Sequence, residues 1–85
     1  MEMEINMWES GKITIDDENF EYHVKIYEEP SAYGINKGRI SKLEVNLVDE
    51  AGSKFVVALY DRKWEFKPKL EIAKKVVQQI MSRYN

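Results

Sequence analysis

The stretch Phe20-Glu21-Tyr22-His23-Val24-Lys25-Ile26-Tyr27 most narrows what this chain can become. Phe20, Tyr22, Val24 and Ile26 recur at every second position, with Glu21, His23, Lys25 and Tyr27 between them. A period of two sends one set to each face of an extended strand, here one face to a core and one to water. Strands of parallel sheets are apolar on both faces, so this alternation asks for an antiparallel sheet. The preceding residues fit. Met7 to Ile15 reads as a first strand in which Ile13 and Ile15 alternate with Lys12 and Thr14, and Gly11 is expected to mark a bulge. Asp16-Asp17-Glu18-Asn19 is expected to form a four-residue turn that closes a hairpin.

A third strand is expected from Arg39 to Asp49, with Leu43, Val45 and Leu47 alternating against Lys42, Glu44 and Asn46. Ile40 lies three residues before Leu43 and is out of phase with it. A slip of one residue sends every later side chain to the opposite face, so a bulge near Ser41-Lys42, or a late strand start, is required. Glu50-Ala51-Gly52-Ser53 makes the next turn. Lys54 to Asp61 then reads as a fourth strand that is apolar on both faces: Phe55, Val57 and Leu59 one way, Val56, Ala58 and Tyr60 the other. At the edge of a four-stranded meander such a strand invites pairing with other chains. It needs cover from the terminal helix, from Trp64 and Phe66, or from a second copy of the protein joined through this strand.

Pro68 suits the first turn of a helix, where its missing donor would be unpaired anyway. From there Leu70, Ala73, Val77, Ile80, Met81 and Tyr84 recur at helical spacing, with Val76 widening the stripe. Glu71 and Lys75 are placed for an (i, i+4) pair, and Arg83 for the C-terminal end of the helix dipole. The expected fold is therefore α+β: a four-stranded antiparallel sheet in ββββα order, with one C-terminal helix packed on one face and a single domain spanning residues 1–85.

Two clusters fall outside this plan. Tyr33-Gly34-Ile35-Asn36-Lys37-Gly38-Arg39-Ile40-Ser41-Lys42-Leu43 is long for a hairpin turn, and Tyr60-Asp61-Arg62-Lys63-Trp64 sits where the fourth strand hands over to the helix. The spacing of Gly34 and Gly38 matches neither the dinucleotide fingerprint nor a phosphate-binding loop, and it leads into a strand instead of a helix N-terminus. The glycines and Asn36 read instead as loop-shaping residues that tolerate left-handed backbone. Tyr, Trp and Arg are the residue types enriched at interface hot spots. Tyr33, Asn36, Arg39, Tyr60, Arg62 and Trp64 are accordingly the candidate protein-binding residues. The competing structural reading has Tyr33 and Trp64 closing the end of the core while Asp61 pairs with Arg39 or Arg62.

Nucleic acid is the weaker partner reading. Lys37, Arg39, Lys42, Arg62 and Lys63 interleave with Tyr33, Tyr60 and Trp64 as a stacking groove would want, and Lys67, Lys69, Lys74 and Lys75 decorate the helix. The sequence pI near 5.4 and the lack of a nucleic-acid-binding motif oppose it. The charges are uneven: residues 1–34 hold nine acids and two lysines (−7), residues 35–85 eleven bases and six acids (+5). Either the halves pair with each other or the second half presents a basic face.

Chemistry finds little to use. The chain has no cysteine and one histidine, His23, whose strand phase puts it on the polar face. Asp16-Asp17-Glu18 lacks the spacing of a calcium loop. No catalytic residue, metal or cofactor is expected. The longest apolar run, Phe55 to Tyr60, is far short of the roughly 20 residues a membrane helix needs. Met1-Glu2-Met3-Glu4 is acidic where a secretory signal is basic, which makes the cytoplasm the default compartment.

The two clusters together, with their order in the chain, resemble an uncharacterised family of small phage and prophage proteins, a domain of unknown function. Members begin with a Trp-containing strand, to which Trp8 and Gly11 compare, and end in a short helix; the likeness covers about residues 7–84. Lys63 departs from it, standing where a glycine is expected. The resemblance implies no activity and no site residue. It implies a phage context, the host cytoplasm as location, and a role in binding or inhibiting a host protein such as a defence component.

Overall fold

The alternation at Phe20–Ile26 becomes the second strand of a five-stranded antiparallel sheet. The computed structural model describes residues 7–85; the acidic Met1-Glu2-Met3-Glu4 start lies outside the described residues. The elements are β1 (Met7–Ile15), β2 (Glu18–Ile26), a short 3-10 turn (Ile35–Lys37), β3 (Ile40–Val48), β4 (Lys54–Asp61), β5 (Trp64–Phe66) and α1 (Glu71–Tyr84). The strands run in sheet order β1-β2-β3-β4-β5. The architecture is α+β as expected, with one strand more than the four expected.

The first hairpin is tighter than a four-residue turn. Asp16 and Asp17 alone connect β1 to β2, at φ 51° and 65°, and Glu18 and Asn19 already pair with Ile15 and Thr14. Two consecutive left-handed residues match the twist of the flanking strands, and Asp tolerates that backbone. The Thr14 hydroxyl donates to Asn19 Oδ1 at 2.8 Å across the join. Gly11 makes no bulge: it stays in register opposite Tyr22. It is a glycine because the buried Tyr22 ring lies where a Cβ would sit.

The phase slip in the third strand is absorbed where the sequence required it. Lys42 pairs with Lys25 and Ile40 with Ile26, so Ser41 is the extra residue of a bulge. Ile40 and Leu43 both reach the core as a result. The strand itself is one residue shorter at each end than expected, running Ile40–Val48.

A second bulge explains the two-sided fourth strand. Ala58 pairs with Val45 but Val56 pairs with Asn46, which leaves Val57 unopposed. Phe55 therefore shares the helix side of the sheet with its partner Leu47, and Ala58 and Tyr60 regain that side beyond the bulge. Val56 and Leu59, opposite Asn46 and Glu44, face away. The additional strand is what the four-stranded expectation lacked. Arg62 takes φ 63°, reversing the chain at once, and Trp64 and Phe66 come to lie opposite Tyr60 and Leu59. The Trp64 and Tyr60 rings meet edge to face at 5.1 Å, and that contact anchors β5.

Helix α1 starts at Glu71, three residues after Pro68. Leu70 keeps an extended backbone (ψ 140°) and is exposed, so it leaves the apolar stripe. Glu71 then pairs with Lys74 at 3.3 Å in place of Lys75. Ala73, Val76, Val77, Ile80 and Tyr84 are buried and pack on one face of the sheet, over Phe20, Tyr22, Val24, Leu43, Val45 and Ala58. Of the two charge halves, Lys54 and Glu21 form a joining ion pair at 3.3 Å. No described helix is long and apolar enough to cross a membrane.

Candidate functional site

The connection between β2 and β3 is tied to itself and to the sheet. The Tyr27 N–H donates to the Arg39 carbonyl at 2.7 Å and the Ser31 N–H to that of Gly38 at 2.9 Å. Inside it, Gly34, Lys37 and Gly38 donate to Ser31, Gly34 and Ile35 at 2.9–3.0 Å. Ile35 is the buried plug beneath. The glycines are not its left-handed residues: Gly34 has φ −80° and Gly38 φ −100°, whereas Asn36 and Lys37 stand at 50° and 59°. Gly34 is needed for close approach, since a Cβ there would strike the Gly38 carbonyl.

Asn85 secures the loop from the far end of the chain. Its Oδ1 accepts from the N–H groups of Arg39 and Ile40 at 3.0 and 3.1 Å, and its Nδ2 donates to the Ile35 carbonyl at 3.0 Å. A backbone N–H pair and a carbonyl are thereby satisfied by one side chain beside buried Ile35 and Ile40. No periodicity or composition signal in the sequence singles out this residue.

The loop and the strand-to-helix corner touch. Tyr60, buried in β4, donates its phenol to the Tyr33 carbonyl at 2.8 Å, and the half-buried Trp64 meets the Tyr60 ring edge to face. Burial, and then the neighbouring Tyr27, push the Tyr60 phenol above its ordinary range. The Arg62 N–H donates to the Ser41 carbonyl at 3.1 Å, so the corner also grips the bulge. Above this base the Tyr33 ring is 62% exposed, and the Arg62 side chain is in solvent.

The other candidate residues sit differently. Arg39 is half-buried and commits its Nε to the Tyr27 carbonyl at 3.1 Å. Asn36 shares a shallow depression with Gln78, Met81, Ser82 and Asn85 at the end of α1. Asp61 pairs with Lys42 at 3.8 Å and not with Arg39 or Arg62, because the bulge at Ser41 sets Lys42 directly opposite it. The turn before Trp64 places its left-handed residue at Arg62, one position before Lys63.

A second polar group lies under α1. Arg83 Nη1 donates to the Tyr22 hydroxyl at 3.2 Å, the Tyr22 and Tyr84 hydroxyls are 3.0 Å apart, and Tyr84 donates to Glu9 Oε1 at 3.4 Å. An arginine can only donate, so the protons run one way, from Arg83 through both phenols to the carboxylate. Burial, followed by the Tyr22 hydrogen bond, pushes the Tyr84 phenol up to about 12. His23 lies on the open face of the sheet with Nδ1 2.7 Å from the Ser10 hydroxyl. Among the described residues no group of three or more His, Cys, Asp or Glu is placed to hold a metal ion.

The elements define a class: an antiparallel α+β protein in which a five-stranded meander carries one C-terminal helix. Residues 7–85 match the family described as Domain of unknown function (DUF7678), and the chain belongs to that family. No curated protein and no solved structure matches it.

Proposed function

We propose that this chain is a non-enzymatic protein-binding module whose contact surface is the joined loop and corner. The observation that carries it is the Tyr60–Tyr33 hydrogen bond, which makes one surface of two sequence clusters and holds an exposed tyrosine over a fixed backbone. A ring presented on ordered backbone binds without a large ordering cost. Tyr33 and Arg62 are the contact residues; Arg39, Tyr60 and Trp64 support them from below. The resemblance to small phage proteins makes a host-cell protein the first class of partner to test, with inhibition of that protein as the outcome of binding. Tyr33→Ala combined with Arg62→Ala abolishes capture of the partner in a pull-down from host lysate, with thermal unfolding unchanged. Undiminished capture by that variant overturns the assignment.

A second reading has its own observation. Among the described residues β5 pairs with Leu59 and Tyr60 alone and leaves the earlier part of β4 a free edge, where Phe55 is 55% exposed and Val56 47%. Two copies meeting along this stretch would cover both side chains and extend the sheet. Sedimentation over a concentration series separates the readings: a monomer throughout removes the dimer and leaves the binding module standing. The nucleic-acid reading loses two of its cations, Lys42 and Lys74, to Asp61 and Glu71.

A further inference from the structure

The opposite edge of the sheet is built for a different contact. Among the described residues β1 is a terminal strand of nine residues that pairs with β2 alone, so along its length alternate residues point their N–H and C=O groups away from the sheet. Beside it runs a groove between the strand and α1. One stretch of the groove is lined by Lys12, Ile13, Thr14, Gln79 and Arg83, and the next by Ile15, Lys75, Ser82 and again Arg83. Two cations of α1, Lys75 and Arg83, border it on the helix side, while Lys12 leaves β1 on the opposite face. Among the described residues none of the three makes an ion pair with a carboxylate. Glu9, toward the other end of β1, accepts from Tyr84, and Asp16 and Asp17 follow Ile15 in the hairpin turn. Arg83 is anchored at one nitrogen by the Tyr22 hydroxyl, which fixes its position beside the groove.

We propose that β1 accepts an extended acidic segment of a partner protein as a sixth strand, with carboxylates of that segment facing Lys75 and Arg83 on the helix side. An incoming peptide backbone supplies both the acceptors and the donors that a free strand edge lacks, and side chains at every second position of the peptide reach the helix side. A nucleic acid offers acceptors to the cations but leaves the β1 carbonyls without donors from its phosphate chain. A second copy paired through the middle of β1 sets Lys12 and Arg83 of one chain near their counterparts in the other, which like-charge repulsion opposes. The acidic strand satisfies both the edge and the charge.

The test is a nuclear magnetic resonance titration of the full chain with a short peptide alternating glutamate and threonine. A lysine–threonine peptide and a thymidine oligonucleotide serve as comparison arms. The expected result is amide shifts confined to Trp8–Ile15 and Gln79–Arg83, slowed hydrogen exchange along β1, and affinity that falls as salt rises. Lys75→Glu weakens binding roughly tenfold or more, and this residue lies outside the buried network, so the fold is kept. Arg83→Lys, which retains charge but loses the planar fork, weakens it less. The proposal is overturned by the absence of shifts at millimolar peptide. Equal shifts with the lysine peptide, shifts with the oligonucleotide alone, or perturbation confined to the free part of β4 overturn it as well.

Discussion

The two edges of this sheet solve the same problem by opposite means. Among the described residues β1 leaves its whole outer side unpaired and carries Trp8, Ser10, Lys12 and Thr14 on the face away from the helix. β4 is apolar, and the chain folds a three-residue strand back over its end. Charged and polar side chains make an edge unattractive to other copies while leaving its backbone free. A returning strand removes the backbone groups themselves. An edge guarded by charge stays open to a chosen partner, whereas an edge guarded by a strand depends on that strand remaining docked. The contrast can be broken by experiment, most sharply at the two tryptophans.

Trp64→Ala removes the ring that meets Tyr60 edge to face and anchors β5, and a half-buried tryptophan in such a contact is worth about 2–4 kcal/mol. Trp8→Ala removes an equally large ring that is 58% exposed and has Lys25 5.8 Å above it. That change costs about 0.5–1 kcal/mol. Urea unfolding of the two variants measures both. Equal losses would mean that β5 is not what guards the second edge. The Trp64 variant is also expected to self-associate, because Leu59 loses its partner strand beside the exposed Phe55 and Val56.

Gly11→Ala probes the first edge from the inside. The added Cβ collides with the Tyr22 ring, which cannot swing away because its hydroxyl is held by Arg83 and Tyr84. Overpacking of this kind costs about 1–3 kcal/mol. Tyr22→Leu in the same chain relieves part of that collision, so a smaller loss in the double variant than the two single losses summed is the expected signature.

How far these features could be read in advance depends on their range. Alternation and helical spacing are local, so β2, the buried stripe of α1 and the bulge at Ser41 follow from neighbouring residues alone. Gly11 could not be interpreted that way: its reason is a ring eleven residues on, across the hairpin. β5 was hidden because three residues carry no period, and because the turn that makes it uses a left-handed arginine where turn chemistry favours glycine or asparagine. The site divides similarly. Tyr33, Arg62 and Trp64 stand out by residue type, but the Tyr60–Tyr33 bond spans 27 positions, and the clamp from Asn85 spans 45 to 50. Contacts at that separation leave no trace in spacing.

The smallest expected effect under ordinary conditions becomes visible only in alkali, and it too belongs to the first edge. The Tyr84 phenol, linked through its hydrogen bond to Glu9 on β1, is pushed from its ordinary 10 up to about 12. The folded chain therefore holds this proton where the unfolded chain has released it. The unfolded state binds fewer protons between these values, so the slope of stability with pH is negative there. The contribution is fully present below pH 10 and is lost as pH rises toward 12, at no more than about 1.4 kcal/mol per pH unit. Tyr84→Phe should flatten this part of the decline while costing about 1 kcal/mol at neutral pH through the lost hydrogen bonds. Tyr60, also raised by burial, sits at the second edge and continues to titrate in that variant. Urea midpoints taken from neutral pH into alkali for Tyr84→Phe and Trp64→Ala then assign the decline to one edge or the other. If the Tyr84 variant follows the parent curve unchanged, the phenol chain under α1 does not couple β1 to the helix.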